Sequence, residues 1–155
     1  MRVLFVGINP SVRSAEIGHH FAGRGNRFWR LLHDAGLVPE PVDFTDDVRL
    51  PGWGFGLTNV VARPTPSMAD LTPEEFRAGA ARLRRRVARL RPSVVAMVGV
   101  TVYRALFPEA RGAVPLGEVV GELAGAGVVV VPNPSGRNAT TAMPPCAPRT
   151  PGWPR

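Results

Sequence analysis

Apolar and polar positions alternate between two kinds of pattern along this chain. Val3-Leu4-Phe5-Val6-Gly7 is a continuous apolar run, and Val128-Val129-Val130-Val131 is another. Runs of this kind predict strands buried on both faces of a parallel sheet. Both end in a turn bearing Asn-Pro: Asn9-Pro10 and Asn133-Pro134. Proline removes a donor and restricts the residue before it, so each strand stops there. Two strand ends therefore bring Asn9 and Asn133 to one rim of the sheet, which is where open α/β sheets bind ligands.

Between the two runs the period changes. Phe28, Leu31, Leu32 and Ala35 share a helical face, predicting a helix over about 27–35 with Asn26 as its cap and Gly36 as its stop. Phe55 to Val61 reads as a second strand, closed by Arg63-Pro64-Thr65-Pro66. Thr72-Pro73 with Glu75 forms a capping-box signature, and the helix it opens runs to about Arg91. Phe76, Ala80, Leu83, Val87 and Leu90 make its apolar stripe. Val94 to Gly99 is a third strand and Val100 to Phe107 a short helix. Val119 to Leu123 and Val128 to Val131 flank Gly125-Ala126-Gly127 as a hairpin, whose second arm is the fourth core strand. Ser11 to Gly25 and Pro39 to Gly54 read as loops. The alternation predicts a three-layer α/β/α sandwich around a mostly parallel four-stranded sheet. No internal repeat is visible. The expected domain covers residues 1–138. Residues 139–155 form a Pro-rich tail without apolar periodicity, expected to be irregular or disordered.

Composition narrows the chemistry. The chain has 155 residues, 45% of them apolar, which suits one soluble domain. No run approaches the roughly 18 apolar residues of a membrane span. The strand that starts at Val3 leaves no room for a signal peptide, so a cytoplasmic protein is expected. Cys146 is the single cysteine, which excludes an internal disulfide and a four-cysteine metal site. The formal charge is +7, and all 19 basic residues are arginine. Arginine suits phosphate recognition, although an Arg-, Ala-, Gly- and Pro-rich chain also fits GC-rich coding. The run Arg82, Arg84, Arg85, Arg86 and Arg89 reads as a solvated helix face. Without lysine there is neither a Lys Schiff base nor a Walker A loop. His19, His20 and His33 lack a metal-ligand spacing, and no GxSxG elbow occurs. What remains is a rim bearing Asn9, Ser11, Ser14, Asn59, Asn133 and Ser135, with Phe21, Phe28 and Trp29 nearby. Neutral amides read base edges and orient water, and aromatic faces stack bases.

Those residues stand in a recognisable order. Gly7-Ile8-Asn9-Pro10, then Gly18-His19-His20-Phe21-Ala22-Gly23 and Gly25-Asn26-Arg27-Phe28-Trp29, closely resemble the mismatch-specific uracil/thymine DNA glycosylases. Gly56-Leu57-Thr58-Asn59-Val60-Val61-Ala62-Arg63-Pro64-Thr65 matches a further block of that family, and Pro132-Asn133-Pro134-Ser135-Gly136 its last. One block alone is weak; all of them in register over about residues 2–138 are specific. The resemblance implies a uracil-DNA glycosylase-like fold and a monofunctional hydrolase. Such an enzyme flips uracil, and by extension thymine or etheno-cytosine, out of a duplex opposite guanine and cuts its N-glycosidic bond. It needs no metal and no other cofactor, and the expected partner is double-stranded DNA with a G·U or G·T mismatch, bound by a monomer in a bacterial cytoplasm.

The resemblance also implies roles. Asn9 positions the attacking water. Phe21 stacks on the flipped base, backbone groups of Ile8 meet its edge, and His20 approaches it. Asn59 either contacts the base or builds a turn, and Ser14 either bonds a phosphate or lines the pocket. Asn133 shapes the pocket or holds the next loop. Ser135, Gly136, Arg137 and Asn138 form the wedge that fills the gap and faces the orphan guanine. The family carries a final helix after this wedge, where residues 140–155 here are Pro-rich. Two other readings fit the same rim: a non-catalytic module that binds mismatched DNA, and a generic nucleotide-binding α/β protein.

Overall fold

The computed structural model describes residues 1–136. Residues 137–155, with Arg137, Asn138 and the Pro-rich tail, lie outside them. Five strands form one sheet: β1 (Val3–Gly7), β2 (Phe55–Asn59), β3 (Val94–Val98), β4 (Val119–Leu123) and β5 (Ala126–Val131), in the order β2-β1-β3-β5-β4. The first four in that order run parallel, and β4 lies antiparallel on β5. The expectation of four strands is therefore corrected to five. The hairpin arm Val119–Leu123 joins the sheet as a mostly exposed edge strand, while the four parallel strands make its core.

The continuous apolar runs are explained by burial on both faces. Leu4, Val6, Val95, Met97, Val128 and Val130 face one layer. Val3, Phe5, Val94, Ala96, Val98, Val129 and Val131 face the other. The first layer is covered by α3 (Pro73–Leu90) and α4 (Val100–Leu106), and the second by α2 (Phe28–Asp34). This is the three-layer sandwich that the sequence predicts. Helix α3 opens with the capping box: Thr72 Oγ1 accepts from Glu75 N at 3.2 Å, and Glu75 Oε2 accepts from Thr72 N at 2.8 Å. At Gly79 an added Cβ would lie 2.3 Å from the Val60 carbonyl oxygen, so only glycine lets the helix sit this close to the chain leaving β2.

Three local expectations are corrected. Ser11–Gly25 contains a short helix, α1 (Val12–Ile17), capped by Ser11 and ended by Gly18 in the left-handed region at φ 74°. Pro39–Gly54 contains a 3-10 segment, Phe44–Trp53, opened by Asp43 and Asp46 in a reciprocal cap. Neither shows a periodic apolar stripe, so their caps hold them. The hairpin turn falls on Ala124-Gly125 instead of Gly125-Ala126-Gly127. Both residues have positive φ, 49° and 86°, as a two-residue I′ turn requires.

Candidate active site

The strand ends β1, β2, β3 and β5 open onto a cleft of about 950 Å³. Ile8, Asn9, Ser14, His20, Phe21, Asn59, Asn133, Ser135 and Gly136 all line it. The described part of the chain thus gathers the sequence-derived candidates in one place. Arg137 and Asn138 fall outside the described residues.

Asn9 sits just after β1 and is held by the loop that follows the neighbouring strand β2. Its Nδ2 donates to the Arg63 carbonyl at 3.0 Å and to Thr65 Oγ1 at 2.7 Å. Thr65 Oγ1 spends its own hydrogen on the Ser67 carbonyl at 2.7 Å. A carbonyl and a hydroxyl already donating elsewhere both require a donor, so the amide can be placed only one way round. Both Asn9 hydrogens are consumed, and Oδ1 has no partner among the described residues. The loop that holds Asn9 is itself clamped. Arg63 Nε and Nη2 bind Glu75 Oε1 and Oε2 at 2.6 and 3.0 Å, and Nη2 reaches the Asp70 carbonyl at 2.8 Å. The Arg63 guanidinium, helped by the Thr72 N–H, draws the Glu75 carboxyl down to about 2. Thr65 was not among the sequence candidates. Its partner lies 56 residues away, and no local pattern links them.

On the opposite wall Phe21 adopts φ 51°, a conformation that non-glycine residues avoid. Its ring stacks on Phe28 with centroids 4.1 Å apart and planes at 20°. The Phe28–Trp29 and Phe5–Phe28 edge contacts carry that stack into the core. Gly7 makes the arrangement possible: an added Cβ would stand 2.6 Å from Asn59 Oδ1 and 3.5 Å from Phe21 Cζ. The Asn59 side chain ends β2 directly opposite Gly7 and has no hydrogen-bond partner among the described residues. The Ile8 carbonyl accepts from the Val61 N–H at 2.8 Å, leaving its own N–H as the group to consider toward a ligand.

The loop that carries Phe21 is stapled at several points. Ser14 is buried, and its oxygen accepts from the Ala22 N–H and the Ser11 hydroxyl at 3.1 and 3.0 Å. Its clearest task is therefore to hold this loop. The Trp29 Nε1–H donates to the His20 carbonyl at 3.2 Å. His19 Nδ1 lies 3.0 Å from Asp47 Oδ2, which ties the loop to the 3-10 segment. Burial pulls the His20 pKa below its ordinary value; Asp47 opposes that shift and His19 adds to it. Asn133 Oδ1 accepts from the Ser135 N–H at 3.0 Å, which builds the turn that follows β5. The Pro134 carbonyl then accepts from Arg27 N at 2.9 Å, and Gly136 packs against Gly25.

Among the described residues the cleft lining contains amides, hydroxyls, two histidines and one arginine, but no carboxylate. Among the described residues no group of His, Cys, Asp and Glu is placed to hold a metal ion. No described helix is long and apolar enough to cross a membrane.

The family model described as "Uracil DNA glycosylase superfamily" matches residues 1–155, and the chain belongs to that superfamily. It is also 44% identical over 93 residues to a protein of Schizosaccharomyces pombe named "G/U mismatch-specific uracil DNA glycosylase". That alignment covers 59% of this chain and 29% of the relative, so the chain spans well under half the relative's length.

Proposed function

We propose that this protein is a monofunctional DNA glycosylase that removes uracil opposite guanine from duplex DNA. The observation that carries the reading is the Asn9 carboxamide, whose donors are consumed internally and whose oxygen has no partner among the described residues. That oxygen accepts a hydrogen bond from a water and aims the water's lone pair at C1′ of a flipped deoxyuridine. An amide cannot take the proton as a carboxylate would, and no carboxylate lines the cleft among the described residues. The N1–C1′ bond therefore breaks well ahead of attack. Its electron pair leaves with the uracil ring, water oxygen bonds C1′, and the water proton ends in solvent or on the departed base. Slow turnover follows.

Phe21 supplies the face on which the flipped base stacks, and its strained backbone fits the storage of strain at functional sites. The Asn59 carboxamide and the Ile8 N–H read the base edge. His20, neutral at pH 7 because burial lowers its pKa, lies beside the shelf as an uncharged donor or acceptor. Asn133 and Ser135–Gly136 form the base of the wedge that faces the orphan guanine. Extruding a mispaired uracil costs less than extruding a paired base, which favours G·U and G·T substrates. The same reading takes residues 1–138 as one catalytic unit, working as a monomer in a bacterial cytoplasm without a cofactor.

The deciding experiment is base release from a G·U duplex, followed by alkaline cleavage of the abasic strand. Wild-type protein is expected to give an alkali-labile product, and Asn9→Ala to give almost none. Tight mismatch binding without release by the wild type would replace the enzyme with a binding module.

A further inference from the structure

Positive charge clusters on the second half of α3. Of the 19 basic residues, six fall between Arg82 and Arg91, a stretch with no acidic residue, and the other 13 nearly cancel the 12 acidic ones. These six occupy the C-terminal half of α3 and its cap. Leu83 and Val87 turn into the core, while Arg82, Arg84, Arg85, Arg89 and Arg91 are exposed and have no ion-pair partner among the described residues. Arg86 is the exception, reaching back to Thr58 Oγ1. At the other end of α3, Arg77 pairs with Glu74 and Arg63 with Glu75. Arginines at the start of α3 and in the loop before it are therefore paired with carboxylates, whereas those of its second half are not.

The connection fixes that separation. Helix α3 leaves the cleft rim after β2 and returns to the start of β3 at the opposite rim. At 1.5 Å per residue, Arg82 stands about 13 Å down the helix and Arg91 about 27 Å. A duplex seated across the cleft does not run along this half of the helix. We propose that the Arg82–Arg91 face is a second DNA-binding surface that grips the phosphate backbone of another duplex segment, so that the protein bridges two segments and passes between them. The inference rests on the glycosylase reading in one respect: duplex DNA is the polyanion such an enzyme meets throughout its search.

Chemistry favours duplex backbone over other anions. Guanidinium forks bind phosphate oxygens in two places. No large exposed hydrophobic residue lies on this face, so it lacks the anchor of a protein interface. It also lacks an aromatic residue on which single-stranded bases would stack. Arg82, Arg85 and Arg89 recur at three- and four-residue spacing, giving a row about 10 Å long on one side of the helix.

The test uses the full chain and an undamaged duplex. A fluorescent duplex is bound to the protein and chased with increasing unlabelled duplex. For the wild type the dissociation rate is expected to rise several-fold with competitor concentration, because a second segment docks before the first departs. In a variant carrying Arg82→Gln, Arg84→Gln, Arg85→Gln and Arg89→Gln, the rate becomes independent of competitor, and the salt dependence of log binding constant flattens by about 3. Glutamine is a good helix former, so circular dichroism and Tm should match the wild type. Single-turnover base release from a short G·U duplex should be unchanged. A variant that keeps the competitor dependence and the salt slope overturns the proposal. So does a face that captures anionic lipid vesicles or an acidic polypeptide at physiological salt while the competitor effect is absent. Because undamaged DNA is the probe, wild-type failure to release uracil sinks the glycosylase reading alone.

Discussion

Thr65 takes a hydrogen from Asn9 at 2.7 Å and hands its own to the Ser67 carbonyl at 2.7 Å. This relay sets the orientation of the carboxamide that, in the proposed mechanism, aims the water. Asn9→Ala is expected to cut single-turnover uracil release by at least about 100-fold, the penalty for losing orientation at the reacting atom. Duplex binding should stay within a few-fold of wild type. Comparable loss of both would mean that Asn9 serves binding instead.

Thr65 itself gives a sharper case. In Thr65→Val the acceptor disappears, and one Asn9 hydrogen loses its partner. Release should slow by roughly 10-fold, the scale of one lost hydrogen bond of about 1–2 kcal/mol, while the Kd for G·U duplex holds. Thr65→Ser keeps the hydroxyl and should restore the rate. If serine proves no better than valine, the relay has no catalytic part.

Gly7→Ala probes the shelf. The new methyl would overlap Asn59 Oδ1 and come into ordinary contact with the Phe21 ring. We expect KM for a uracil duplex to rise and release to fall, with the sheet intact by circular dichroism. Competition by free uracil should weaken in parallel. Unaltered kinetics would place base recognition elsewhere.

The pH response of stability has a definite sign. Folded His20 has a pKa below its ordinary 6.5. The unfolded chain therefore binds the proton first, and stability falls as pH drops from above 6.5 through the lowered pKa. Denaturant midpoints measured at about pH 7.5 and pH 5.5 should differ less in His20→Gln than in wild type. An equal difference in both proteins would show that other groups dominate that window.

Ala124 sits at φ 49° in a turn that favours Asn-Gly. Ala124→Asn should stabilise the protein by about 1 kcal/mol, since alanine carries a steric penalty of about 1–2 kcal/mol in the left-handed region. A Tm rise of about 3 °C would be typical. No rise would mean that the edge strand β4 contributes little to global unfolding.

How far each feature was legible depended on where its stabilisation lies. The strands were legible because burial on both faces leaves an uninterrupted apolar run, as in Val128 to Val131. Helix α3 was legible because Thr72 and Glu75 cap it within four residues. Helix α1 and the 3-10 segment were not, since each is held by its caps without an apolar stripe. The hairpin turn was misplaced because Ala124 does not announce a positive φ. Asn9 and Phe21 were legible as candidates through their order along the chain, whereas Thr65 was silent.

The amino-acid order by itself thus settled the layers, the direction of the parallel strands and which amides end them, because these depend on hydrophobic period and on proline within a few residues. Folding decided the rest. Which way the Asn9 amide faces, how Asn59 and Phe21 both come up against Gly7, and where the arginines lie relative to the cleft all depend on contacts between residues tens of positions apart. Such contacts exist only after the sheet has brought its strand ends together.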